Sequence, residues 1–239
     1  MRELASRIPD LPEWVELRGM LLTGRCELVG PIGPGPADFA VRGTDFDLFA
    51  VSGDPDLTGL AGELRRWSGR AVLCSPAGAR RVAAVVPGWT ISRALVHTRS
   101  GPHASTDRAP SGARIAMLPG DAARSLEHVP PVLREEIRTA LGFTHVAAAF
   151  DDGRPVSFCY AGYETEKHWD VSIDTLESHR GRGLARECCD FLIDHMDRHG
   201  KEPVWGALER NVASRRLAAS LGFAPTAEAA LFEPPGTAA

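Results

Sequence analysis

Val171-Ser-Ile-Asp-Thr-Leu-Glu-Ser-His-Arg-Gly-Arg-Gly-Leu-Ala185 is the stretch on which the fold turns. Val171, Ile173 and Thr175 alternate as residues on one face of a strand do. A charged turn holding Gly181 and Gly183 then opens directly into a helix. Its apolar positions Leu184, Cys188, Phe191, Leu192 and Met196 make one continuous face, and Gly200 stops it. A helix begun this way is an anion site. Its first-turn N–H groups lack intrahelical partners, and the helix dipole adds about half a positive charge. Gly181 and Gly183 let the backbone approach a phosphate, and Arg180 and Arg182 add positive charge. The Gly-Lys-Ser/Thr of a triphosphate-binding loop and the G-x-G-x-x-G of a dinucleotide site are both missing, which leaves a pyrophosphate held without Mg²⁺ as the natural guest.

Upstream, Ala113–Leu118 reads as a strand, Asp121–Val129 and Pro131–Leu141 as helices, and Thr144–Phe150 and Pro155–Tyr163 as strands of a hairpin turned at Asp151-Asp152-Gly153-Arg154. Downstream come a strand at Pro203–Leu208, a short helix, and strand from Phe223 to Phe232. A meander whose central strand feeds a helix through a glycine turn is an α+β arrangement. The polar, aperiodic stretch His97–Gly112 reads as a linker, and Gly30–Pro36 as a surface loop whose prolines cannot donate to a phosphate.

The 239 residues suffice for one large domain or two compact ones. Hydrophobic residues make up 44% and charged ones 24%, which excludes wholesale disorder. A net charge of −4 without a basic stripe argues against nucleic acid or anionic membrane as partner. There is no apolar run of the ~20 residues that span a bilayer. Charged residues fill the N-terminus where a signal peptide would be apolar, so a cytoplasmic location is expected. Cys26, Cys74, Cys159, Cys188 and Cys189 show neither disulfide nor zinc spacing. His195 and His199 lie four apart near a helix C-terminus with no third ligand evident, so no metal is expected.

Arg180-Gly-Arg-Gly-Leu-Ala185 and Asn211-Val-Ala-Ser-Arg-Arg-Leu-Ala-Ala-Ser-Leu-Gly-Phe223 together resemble the GNAT superfamily of N-acetyltransferases, and within it the zwittermicin-resistance branch. The resemblance spans roughly residues 112–233. It implies a GNAT-type mixed sheet with flanking helices and acetyl-CoA as co-substrate. It further implies that the coenzyme is held by the backbone of Ile173, Asp174, Thr175 and Leu176, by the turn Arg180, Gly181, Arg182, Gly183, Leu184 and Ala185, and by Asn211 and Ser214. An N–H near Leu176 would face the thioester oxygen. The family often carries a Tyr, acid for the departing thiolate, where this chain has Ala218. A thiol with a pKa near ~8.5 is protonated from water at neutral pH, so that acid is not indispensable.

An alkyl amine with a pKa near ~10.4 must lose a proton before attack, costing ~4.6 kcal/mol at neutral pH. The candidate bases are Asp170, at the start of the central strand, with Glu164 and Glu166 in the turn before it.

Phe46–Ala61 can be laid on Asp170–Ala185 without a gap, Arg80–Ala84 echoes Arg215–Ala219, and Gly88-Trp89 echoes Gly222-Phe223. Asp56 then stands where Arg180 does, and its carboxylate would repel a pyrophosphate. The expected organisation is therefore two tandem GNAT-like domains: a degenerate one over 1–97, a linker over 98–112, and a catalytic one over 113–239. The expected function is acetyl transfer to an amine of a small molecule or peptide. The alternative is a non-catalytic acyl-CoA-binding regulatory or interaction module.

Overall fold

The computed structural model describes residues 1–44, 48–66, 70–99, 101 and 111–236. In chain order the elements are α1 (Arg2–Ala5), α2 (Val15–Thr23), β1 (Cys26–Leu28), β2 (Phe39–Gly43), β3 (Leu48–Ser52), α3 (Thr58–Arg66), β4 (Ala71–Cys74), α4 (Ala79–Val85) and β5 (Thr90–Arg99). They continue with β6 (Arg114–Met117), α5 (Pro131–Leu141), β7 (Val146–Asp151), β8 (Arg154–Glu164), β9 (His168–Thr175), α6 (Leu184–Arg198), β10 (Glu202–Leu208), α7 (Val212–Ser220) and β11 (Phe223–Glu233). The helix expected at Asp121–Val129 is a short 3-10 turn over Ala122–Leu126, ahead of the Pro130-Pro131 pair that starts α5.

The chain divides into two compact units, residues 1–97, 206–215 and 225–239 in the first, and 98–205 with 216–224 in the second. The division departs from the 1–97 and 113–239 expected, because most of β11 joins the first unit. There it pairs antiparallel with β4, Ala230 opposite Cys74 and Phe232 opposite Val72. A boundary read from composition cannot anticipate a strand that crosses back. Of the expected linker, Thr98 and Arg99 belong to β5, while residues 100 and 102–110 lie outside the described residues.

The first unit orders its strands β1-β2-β3-β4-β11-β5, with β3 and β4 parallel. Val29, Phe49, Val51, Leu60, Val72, Val82 and Phe232 form its core. The second orders them β10-β9-β8-β7-β6. Its β7–β8 hairpin turns at Asp152 and Gly153, both at positive φ (46 and 75), as a tight Asp-Gly turn requires. Even-numbered β8 residues Phe158 and Tyr160 pack with Ile137 and Ala140 of α5 and with Leu126 and Val146. Helix α6 buries Leu184, Cys188, Cys189, Leu192, Ile193 and Met196. Phe191, expected inside, is 38% exposed: it lies at the rim of the helical stripe, and Cys189 and Ile193 take the inward positions.

Candidate active site

Strand β9 is paired unequally on its two edges. Against β8 it is antiparallel up to Ser157 opposite Thr175. Against β10 it is parallel over three pairs, His168–Glu202, Trp169–Pro203 and Asp170–Val204, and the ladder ends there. Val171 to Thr175 thus border an open edge. The Leu176 N–H donates to Val156 O at 2.9 Å. Backbone polar groups alternate in direction along a strand, so Leu176, Asp174 and Ser172 turn theirs toward β8, and Thr175, Ile173 and Val171 turn theirs outward. Two contacts agree with this phase: Ser157 Oγ donates to Asp174 O at 3.2 Å, and Arg180 Nε donates to Thr175 O at 3.3 Å. The expectation that four successive residues offer backbone to a ligand is therefore corrected. Ile173 and Thr175 turn theirs to the open edge; Asp174 and Leu176 spend theirs on β8. The N–H that looks outward nearest the middle of the edge belongs to Ile173.

After β9 a short 3-10 turn, Glu177–His179, leads to Arg180, Gly181, Arg182 and Gly183. Gly181 and Gly183 have φ of +77 and +87, and a Cβ on either would meet nothing within 4 Å, so the turn is strained for other residues and open in front. Leu184, buried, pins the start of α6 behind it. Arg182 is not a free cation: its Nη1 donates to Asp151 Oδ2 at 2.7 Å, and His179 Nε2 lies 3.2 Å from the same oxygen. The Arg182 hydrogen bond holds Asp151 below the usual carboxylate range.

The expected base candidates separate. Glu164 accepts from Thr144 Oγ1 at 2.7 Å and lies 4.0 Å from Lys201 Nζ, beside a surface cavity of about 540 Å³ that His145 and His199 also line. Asp170 differs: burial alone pushes its carboxyl up, to about 7, with no hydrogen bond or opposite charge to offset it. Gly162 makes room for it, since a Cβ there would come within 2.8 Å of Asp170 Oδ2 and 3.0 Å of Ser172 Oγ. The same face carries Asp174, pushed up to about 6 by burial and by Glu136 and drawn back by Arg180. Tyr160 completes it, its hydroxyl 3.3 Å from Glu136 Oε2 and its pKa raised by burial and by Asp174 and Glu136. Glu136 and Tyr160 were missed in the sequence. Glu136 sits on an ordinary amphipathic helix, and only the Ser172–Tyr160 register brings the strand partners together.

Asn211 and Ser214 belong to the first unit, where Asn211 Oδ1 accepts from the Ser214 N–H at 3.0 Å and caps α7. Ala218 is fully buried, and its methyl can neither donate nor accept a proton. The five cysteines are free and buried. His145 joins His195 and His199, with ring centroids 4.5 Å apart along the row, a neighbour that the sequence did not reveal. Among the described residues no group of three His, Cys, Asp or Glu is arranged to hold a metal ion.

The first unit has a strand, turn and helix of its own in β3, residues 53–57 and α3. Its turn is already filled by carboxylates. Asp38 accepts from the Asp54 and Gly35 N–H groups, each at 2.7 Å, and Asp56 accepts from the Thr58 N–H at 2.9 Å. Phe46 and Asp47, part of the repeat alignment, lie outside the described residues.

The sequence profile of the GNAT acetyltransferase family matches residues 138–232. It takes in β7 to β10 and nearly all of β11, with the glycine turn at its centre. An L-methionine sulfoximine/L-methionine sulfone acetyltransferase of Salmonella typhimurium is 36% identical over 107 residues, 44% of this chain and 57% of that protein. The chain thus matches little more than half the length of this curated relative. Among solved structures, a GCN5-related N-acetyltransferase-like protein from Streptococcus suis superposes with a TM-score of 0.71 at 17% identity, covering 97% of this chain and 95% of that one. A GNAT-family acetyltransferase from Novosphingobium aromaticivorans gives 0.64 at 20%, covering 93% and 96%. At these identities the likeness is one of fold, and it extends over nearly the whole chain rather than over the matched residues 138–232 alone. Among the described residues, no helix is long and apolar enough to cross a membrane.

Proposed function

We propose that the chain transfers an acetyl group from acetyl-CoA to an amine of a small molecule or peptide. The observation that carries this reading is the continuity of the open edge of β9 with the glycine turn, an extended hydrogen-bonding edge that leads into an anion site. The coenzyme pyrophosphate rests on the backbone from Arg180 to Ala185, and its pantetheine arm lies along Ile173 and Thr175 like an added strand. The Ile173 N–H meets the thioester oxygen, where charge develops as the amine attacks. Asp170, with a carboxyl near neutrality, takes the proton of the incoming ammonium directly or through one water. The free amine adds to the carbonyl carbon, the nitrogen releases its extra proton to water as the C–S bond breaks, and the thiolate takes a proton from solvent. Asn211 and Ser214 are carried as coenzyme contacts on the motif resemblance, as is the zwittermicin-resistance branch. The first unit reads as a diverged copy, because β3-α3-β4-α4-β5 repeats the order β9-α6-β10-α7-β11.

A second reading, an acyl-CoA-binding regulatory module without turnover, draws on the inert Ala218. Release of coenzyme A thiol from acetyl-CoA across an amine panel that includes L-methionine sulfone separates the two. Amine-dependent release supports transfer, and binding without release supports the module.

A further inference from the structure

Three carboxylates and a phenol gather on the side of β8 and β9 toward α5, a helix that packs on β7 and β8, and a single reacting amine would answer only one of them. Asp170, Ser172 and Asp174 follow at every second position of β9, and Phe158 and Tyr160 stand opposite Asp174 and Ser172 on β8. Glu136 reaches in from α5 to the Tyr160 hydroxyl. Asp170 is half-buried and its carboxylate meets neither a donor nor a cation, although Gly162 leaves its Oδ2 space. At the other end, Arg180 offsets Asp174, while Glu136 works against it. Arg180 is also the side chain that donates to Thr175 O on the open edge. A pyrophosphate at the turn would compete for that guanidinium and leave Asp174 and Glu136 facing each other without it.

We propose that this face takes a second positive charge of the acceptor, so that the acceptor is a diamine or an amine bearing a guanidinium. Asp174 and Glu136 hold the remote cation, Tyr160 orients Glu136, and Asp170 serves the nitrogen that is acetylated. The inference rests on the acetyl-transfer reading above. Four residues along a strand advance by about 13 Å, which sets the separation of the two nitrogens on the order of 10 Å. A carboxylate at the far end of the acceptor would meet like charge and be rejected. Because coenzyme draws Arg180 away, the dication binds better after coenzyme than before it.

The test compares octanediamine, octylamine and aminooctanoate as acceptors, alike in length and different only in the far group. The expected result is a KM for octanediamine about tenfold or more below that for octylamine, with aminooctanoate poorest. Glu136→Gln, a change on a solvent-bordered helix position, should collapse the preference for the diamine over the monoamine. Octylamine acetylated as well as octanediamine, or a preference untouched in Glu136→Gln, overturns the second-charge subsite and leaves acetyl transfer standing. If no amine is acetylated, transfer itself fails, and calorimetry decides the subsite on its own. Octanediamine binding that coenzyme A strengthens and Glu136→Gln weakens supports it; no binding to the coenzyme-loaded protein overturns it.

Discussion

The Leu176 N–H is bonded to Val156 O at 2.9 Å, and that bond sets the phase of the whole strand before it. It turns the Ile173 N–H to the open edge and the Asp174 backbone to β8. Ile173→Pro removes an outward N–H and leaves the β8 ladder intact, a position at which a strand tolerates proline. Acetyl transfer should fall about a hundredfold, the loss typical of one oxyanion donor, with far-ultraviolet dichroism retained. Asp174→Pro should instead break the ladder and lower the unfolding temperature. The reverse pattern would mean that the phase is wrong.

Gly183 starts α6 at φ +87 with open space before it. Gly183→Ala adds about 1–2 kcal/mol of backbone strain and puts a methyl in front of the anion-binding N–H groups. The coenzyme KM should rise about tenfold or more, with kcat changed much less. Initial rates at varied acetyl-CoA read this directly, and an unchanged KM would move the phosphate site elsewhere.

Asp170 is the residue where function and stability oppose each other. Asp170→Asn should lower kcat at neutral pH by about ten- to a hundredfold, partly restored as pH rises toward the amine pKa. Its folded carboxyl, at about 7, lies above the unfolded value, so the native state binds the extra proton and loses stability as pH climbs toward 7. Asn escapes that cost. Thermal melts should place the variant above the wild type in mildly alkaline buffer, with the gap closing as the buffer is acidified toward the unfolded carboxyl value. A variant that melts lower throughout would contradict this.

Much of the site was legible in the sequence because it depends on local chemistry. The glycine turn, the strand before it and the helix after it are specified by adjacent residues, and each sits where spacing put it. What could not be read depends on register. The bond from Leu176 to Val156 says which backbone groups turn to the open edge, and only the pairing of β8 with β9 brings Tyr160 to the carboxylates. The return of β11 to β4 is likewise a long-range choice. Asp56 was expected to spoil the first unit's turn by repulsion. Asp38, far from the aligned motif, fills it more directly by taking the Asp54 N–H.

Asp151 holds Arg182 at the rim of the turn and adds a negative charge where a pyrophosphate would sit. Asp151→Asn should tighten acetyl-CoA binding by roughly two- to fivefold at low salt. The gain should vanish at about 1 M salt, where charges are screened beyond ~3 Å. Weaker binding at low salt would show that Asp151 positions Arg182 usefully rather than competing with the coenzyme.

The central claim is that acetyl-CoA is held by the turn from Arg180 to Ala185 and by the open edge of β9. Calorimetric titration of the full chain with acetyl-CoA tests it most directly, run beside Gly183→Ala. The account predicts one site per chain, because the first unit's turn is filled by Asp38 and Asp56, and a sharp loss of affinity in the variant. Two sites per chain, or a single site that Gly183→Ala leaves untouched, would contradict it.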